Sequence, residues 1–112
     1  MVAYKRISVQ QARQMMEQQN ATVVDIRDEQ SFANGHISES AHLDNAGVQQ
    51  FINEADLDVP VIVCCYHGNM SQSAAAYLIE QGFEDVSSLD GGYAEWSATF
   101  PDLCARSQES PG

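Results

Sequence analysis

Basic side chains are scarce in this sequence: five lysines and arginines stand against 16 aspartates and glutamates, and none falls between Arg27 and Arg106. The resulting formal charge of −11 repels nucleic-acid phosphates and anionic membrane surfaces, so neither is an expected partner. Cysteine is also rare. The three present, two of them adjacent, make a poor disulfide framework and point to free thiols in a reducing, cytoplasmic setting. No apolar run approaches the ~20 residues of a membrane span, and the start, Met1 to Arg6, lacks the apolar core of a secretory signal. Metal ligands are not spaced as pairs either: alternate facing scatters Cys64, Cys65 and His67, so no zinc site and no cofactor is expected.

What is present is enough for one hydrophobic core. A chain of 112 residues with 44% apolar content reads as one domain over residues 1–105, with a polar tail over 106–112. Its centre is Val61-Ile62-Val63-Cys64-Cys65 followed by Tyr66-His67-Gly68-Asn69-Met70-Ser71 and the run Ala74-Ala75-Ala76. Five apolar residues after a proline suit a buried parallel strand, and the alanine-rich segment suits a helix over residues 71–81. Cys65 then stands where strand becomes loop. Successive N–H groups of such a loop, together with the positive end of the next helix, hold an anion and lower a thiol pKa from its free value of ~8.5. The alternative is a generic strand-to-helix turn in which Cys65 only ends a core strand.

On either side of this centre, strand and helix signals alternate. Ser8 and Gln11 form a capping box with Ile7 as staple, opening an amphipathic helix to about Gln19 whose face carries Val9, Ala12, Met15 and Met16. A β-branched strand over residues 22–26 delivers Asp25, Arg27 and Asp28 to a short helix over 29–34, and Gly35 is suited to close it in a left-handed conformation. Arg27 beside three carboxylates reads as a structural ion pair, and His36 as a hydrogen-bonded scaffold residue. A brief strand over 40–43, a helix over 45–55, a strand over 86–89 and an aromatic-faced helix carrying Tyr93, Trp96 and Phe100 complete the pattern. The class is α/β, doubly wound with a mostly parallel sheet, and ligands in such folds sit outside the carboxyl ends of the strands.

A cysteine leading into an anion-holding loop serves phosphate-ester hydrolysis or sulfur transfer. Cysteine phosphatases and arsenate reductases of this kind close the loop with an arginine fork, whereas the residue six after Cys65 is Ser71. Backbone donors alone suit a smaller group, such as the outer sulfur of a persulfide.

The stretches VVDIRDEQSFANGHI, VIVCCYHGNMSQSAAAYLIEQGF and LDGGYAEW together resemble the rhodanese family of sulfurtransferases, especially its single-domain bacterial thiosulfate sulfurtransferases. The resemblance runs from about Ile7 to Phe100. It implies a rhodanese-like α/β fold, a five-stranded parallel sheet with helices on both faces. Cys65 would be the catalytic residue, taking sulfane sulfur from thiosulfate to become a persulfide and passing it to cyanide, or to a thiol or dithiol acceptor such as thioredoxin. The N–H groups of Tyr66, His67, Gly68, Asn69, Met70 and Ser71 would bind the substrate sulfur, with Gly68 meeting the backbone demands of a tight loop. Met70 departs from the hydroxyl or basic residue common at its position, which bears on substrate preference. Cys64, facing away from Cys65, reads as a small buried hydrophobe. A rhodanese-like module that only binds a partner is the competing function.

Overall fold

The strand in the middle of the chain, β5 (Val61–Cys64), is buried at every residue because neighbours flank it on both edges and helices cover both faces. A computed structural model describes residues 3–106 and pairs β5 with β2 (Thr22–Asp25) on one edge and with β6 (Val86–Leu89) on the other. With β1 (Lys5–Ile7) and β4 (Ala41–His42) at the edges, the order is β1-β6-β5-β2-β4, and every pair is parallel. This is the expected rhodanese-like α/β sheet. The tail beyond residue 106 lies outside the described residues.

Period-two alternation along β5 splits the core into two layers. Ile62 and Cys64 face a cluster with Val9, Ala12, Leu89 and Trp96, whereas Val61 and Val63 face Ala75, Leu78 and Phe83. The first layer is closed by α1 (Val9–Gln19) and α5 (Gly92–Thr99), the second by α3 (Val48–Glu54) and α4 (Met70–Glu80). Trp96 is fully buried with Tyr93 and Phe100 packed on its cluster, in keeping with an aromatic face that serves the core.

Local sequence signals explain most boundaries. Ser8 Oγ accepts from the Gln11 amide at 3.1 Å and Gln11 Oε1 accepts from the Ser8 amide at 2.8 Å, the reciprocal cap that starts α1. At the end of α4 the amides of Gly82 and Phe83 donate to the carbonyls of Ile79 and Leu78 at 3.0 and 3.2 Å, a Schellman stop. Asp28 caps α2 (Glu29–Asn34) by accepting from the Ser31 amide at 3.0 Å.

Four features depart from expectation. Gly35 does not take a left-handed conformation: its φ of 169° is extended, and its missing side chain serves instead to admit the Tyr93 hydroxyl, 2.7 Å from where a Cβ would stand. The helix expected over 45–55 starts only at Val48, because Asp44 Oδ1 accepts the Gly47 amide at 2.7 Å and holds a turn in front of it. Strand β1 gave no sequence signal, since two of its three residues are exposed. A second, two-stranded sheet pairs β3 (His36–Ile37) with β7 (Cys104–Ala105) in antiparallel fashion, a contact between distant segments with no local signature.

Candidate active site

Cys65 follows directly on β5 and lies at the carboxyl edge of the sheet, where the loop of residues 65–70 leads into α4. The loop folds back on the sulfur. Cys65 Sγ accepts from the Gly68 amide at 3.2 Å and the Ser71 amide at 3.3 Å, and lies 3.4 Å from the Ser71 hydroxyl. Burial pushes the Cys65 thiol up, but the Ser71 hydroxyl and the amides of Ser71, Gly68 and Met70 together outweigh it, so the thiol sits below its ordinary value. Cys64 behaves oppositely: it is fully buried on the other face of β5, and burial first, then the Asp25 carboxylate, push its thiol far up. The two adjacent thiols are therefore shifted in opposite directions.

The remaining expected residues divide by what they present. Tyr66, His67, Asn69 and Met70 are exposed and line a cavity of about 450 Å³ with Cys65 at its wall. Among the described residues, the amides of Tyr66, His67 and Asn69 make no hydrogen bond to the sulfur. The Met70 side chain is 71% exposed and stands between this cavity and a larger groove that also borders Ile26, Arg27 and Asp28.

Two glycines bring the loop against the start of α5. Gly68 has a φ of +95°, and a Cβ there would stand 2.9 Å from the Gly91 nitrogen and 3.0 Å from the Leu89 carbonyl oxygen. Gly92 lies so close to the loop that a Cβ would come within 2.5 Å of the Cys65 and Tyr66 backbone. This approach lets the first free amides of α5 be used, with Tyr93 N–H donating to the Cys65 carbonyl at 2.8 Å and Ala94 N–H to the Tyr66 carbonyl at 3.0 Å. In the sequence, Asp90-Gly91-Gly92 reads as a tight turn into a helix, with nothing local to report this approach. A further support is the relay in which Tyr4 Oη donates to Gln72 Oε1 at 3.1 Å and Gln72 Nε2 to the Gly68 carbonyl at 3.0 Å.

Arg27 contributes one wall of the cavity, with Ile26, Asp28 and Ser31. Its fork is committed to the scaffold: Nη2 is 2.7 Å from Asp25 Oδ2 and donates to the Gly35 carbonyl at 2.6 Å, and the guanidinium lies 4.3 Å over the Tyr93 ring. Burial lowers its pKa, but the bonds and charge of Asp25 outweigh that and raise it. His36 is a scaffold residue as expected, buried, stacked 3.9 Å on Phe32 and with Nδ1 2.8 Å from the Phe32 carbonyl. Among the described residues no cluster of metal-ligating side chains occurs.

Such a site can hold a sulfur anion in a ring of backbone donors without a formal cation in the loop. The comparisons with known proteins agree with this geometry. The family model for the rhodanese-like domain matches residues 8–99. A protein named thiosulfate sulfurtransferase GlpE from Ectopseudomonas mendocina is 61% identical over 109 residues, covering 97% of this chain and 99% of that one. Its namesake from Pseudomonas putida F1 is 57% identical over 101 residues, with 90% and 92% covered. Among solved structures, the rhodanese-like domain of the Anabaena sp. Alr3790 protein superposes with a TM-score of 0.80 at 21% identity, over 96% of this chain and 84% of that one. A rhodanese-related protein from Thermoplasma volcanium gives 0.73 at 24% identity, over 86% and 93%. With the fold, the cysteine loop and close relatives over nearly its whole length in agreement, the chain belongs to the rhodanese-like domain family.

Proposed function

We propose that this protein is a thiosulfate sulfurtransferase working through a Cys65 persulfide. The Cys65 thiolate attacks the outer sulfur of thiosulfate; the S–S bond of the donor breaks and sulfite leaves with its electron pair, so that Cys65 carries one extra, anionic sulfur. Cyanide, or the thiolate of a thiol or dithiol acceptor such as thioredoxin, then attacks that outer sulfur. The new bond forms as the Cys65 Sγ–S bond breaks, and Cys65 is regenerated as thiolate. Two displacements at one atom give ping-pong kinetics.

The observation that carries this reading is the Cys65 sulfur held by the Gly68 and Ser71 amides at 3.2 and 3.3 Å, beside a cavity open to a small anion. A loop ending in Ser71 rather than arginine lacks the planar cation that a phosphate ester requires, which favours sulfur over phosphoryl chemistry. The names of the relatives, thiosulfate sulfurtransferases at 61% and 57% identity, support the same donor. Tyr66, His67, Asn69 and Met70 border the donor, and the amides of Gly68, Met70 and Ser71 stabilise sulfur anions at Cys65. Free thiols at Cys64, Cys65 and Cys104 suit a reducing compartment, the cytoplasm, and no described helix is long and apolar enough to cross a membrane.

Intact mass after incubation with thiosulfate tests the proposal. The expected result is a gain of one sulfur atom, removed by cyanide or dithiothreitol and absent in Cys65→Ser. A rhodanese-like module that only binds a partner would gain nothing, and that outcome overturns the reading.

A further inference from the structure

Strand β6 places two serines side by side in the core, and the two are treated differently. Ser87 and Ser88 are both fully buried, yet among the described residues the Ser87 hydroxyl has no hydrogen-bond partner, whereas Ser88 Oγ lies 2.7 Å from Ser71 Oγ. Alternation along the strand explains the difference: Ser88 shares the face of Val86 toward α4, and Ser87 faces the opposite layer. Ser71 is itself fully buried, and its hydroxyl is the one 3.4 Å from Cys65 Sγ. A continuous line of three polar atoms therefore runs from the Cys65 sulfur into the core, and among the described residues it ends at Ser88.

We propose that Ser71 and Ser88 form a reversible hydroxyl pair whose hydrogen bonds change direction with the state of Cys65, Ser71 acting as a further catalytic residue and Ser88 as its positioning residue. A hydroxyl both donates and accepts, so two arrangements satisfy the line. With a thiol, Cys65 S–H donates to Ser71, and Ser71 O–H donates to Ser88. With a thiolate, Ser88 O–H donates to Ser71, and Ser71 O–H donates to the sulfur. No proton crosses between residues in this reversal; each hydroxyl only rotates about its C–O bond. Bonds that polarise one another in a low-dielectric interior strengthen the donation to the thiolate. Alanine at 88 would leave Ser71 free to turn away or donate with less force.

This inference rests on the sulfurtransferase reading for its kinetic consequence. Cys65 is the nucleophile in the first half-reaction and the leaving group in the second. Stabilising its thiolate makes it leave faster, but reduces its intrinsic nucleophilicity, so the pair favours release of sulfur to the acceptor more than attack on the donor. Other groups around the sulfur are Arg27, Asp28, Tyr66 and His67 at the cavity, Cys64 behind it, and Asp90 and Glu95 beyond the loop near Gly91. Arg27 and Asp90 are already paired with Asp25 and Arg6. These charges stay constant in the variants below.

The experiment is the pH dependence of Cys65 alkylation by iodoacetamide, resolved by peptide mass, with the two half-reactions followed in parallel. Ser71→Ala should raise the alkylation midpoint by about one to two pH units, the loss of one hydrogen bond to a charged group. Ser88→Ala should raise it by less, and the double variant should match Ser71→Ala, since Ser88 acts only through Ser71. Both single variants should slow sulfur release to cyanide more than persulfide formation. Ser87→Ala should leave the midpoint unchanged. The isosteric pair Ser88→Thr and Ser88→Val separates hydroxyl from packing: the midpoint stays near that of the parent protein with Thr and rises with Val. Equal midpoints in Thr and Val, or full additivity in the double variant, overturn the proposal. Absence of a persulfide in the parent protein overturns the sulfurtransferase reading instead, while the alkylation midpoints still decide the hydroxyl pair.

Discussion

The Tyr93 amide donates to the Cys65 carbonyl at 2.8 Å, so the helix closing one face of the sheet also holds the first peptide of the cysteine loop. Core packing and site geometry are thereby one structure. Trp96 buries α5 against the sheet, and the same docking fixes the carbonyls of Cys65 and Tyr66 and thus the direction of the amides that follow.

Gly92→Ala should damage activity more than stability. Its φ of +60° and a Cβ within 2.5 Å of the Cys65 and Tyr66 backbone force α5 away from the loop. Strain of this kind costs about 1–3 kcal/mol, whereas a displacement on the order of 1 Å at the reacting group costs about a hundredfold in rate. Urea unfolding beside kcat/KM for thiosulfate checks both magnitudes; unchanged kcat/KM would show that the loop holds itself without α5.

Arg27→Ala should be strongly destabilising, because Asp25 has no exposed surface and would keep a buried carboxylate without its cation. Removing one partner of such a pair typically costs about 3–5 kcal/mol. The Arg27 amide, 3.0 Å from Asp25 Oδ1, survives the substitution and limits the loss to the lower end. Chemical denaturation measures it, and Asp25→Asn combined with Arg27→Met should recover part of the stability.

Stability should decline on the alkaline side, and Cys64 should account for part of the decline. Burial raises the folded Cys64 pKa above its unfolded value of ~8.5. The native state then holds a proton that the unfolded chain loses, so its contribution is complete below ~8.5 and diminishes as pH rises beyond it. Tyr93, raised to about 12 by burial and by Cys104, adds to the loss above its ordinary value of ~10. Cys65, lowered, has the opposite sign: its contribution is present above the unfolded value and lost as pH falls through the folded one. Denaturation midpoints measured from pH 7 upward should fall less steeply in Cys64→Ala than in the parent protein.

Met70→Ser should act on the donor side of the reaction. Met70 is 71% exposed at the cavity rim, and the sulfur is held by the amides of Gly68 and Ser71, so a hydroxyl at position 70 should meet the sulfonate end of thiosulfate without altering the loop. In so wet a position one added hydrogen bond is worth at most ~1.5 kcal/mol, about a tenfold lower KM for thiosulfate. The cyanide step should be unchanged, and steady-state ping-pong analysis separates the two. Equal changes in both steps would mean that residue 70 shapes the backbone of the loop.

Local chemistry made much of this protein legible in its sequence. Capping at Ser8, the stop at Gly82, the β-branched run at Thr22–Asp25 and the buried run at Val61–Cys64 each encode their conformation within a few residues. The placement of Cys65 at a strand end, its adjacency to a helix start and the contrast with Cys64 follow from that local order together with alternate facing. What only the tertiary structure decided are the contacts that cross the chain. The β3 and β7 pair, the close approach of Gly92 to Cys65, the Tyr93 hydroxyl filling the space at Gly35, and the meeting of Ser71 with Ser88 join residues from 17 to 69 positions apart, where no periodicity or cap reports on the partner. A glycine or serine carries the same local signal whether it faces solvent, a carbonyl or the Cys65 sulfur. Only the packing of α4 and α5 on their opposite faces of the sheet determines which of these it meets.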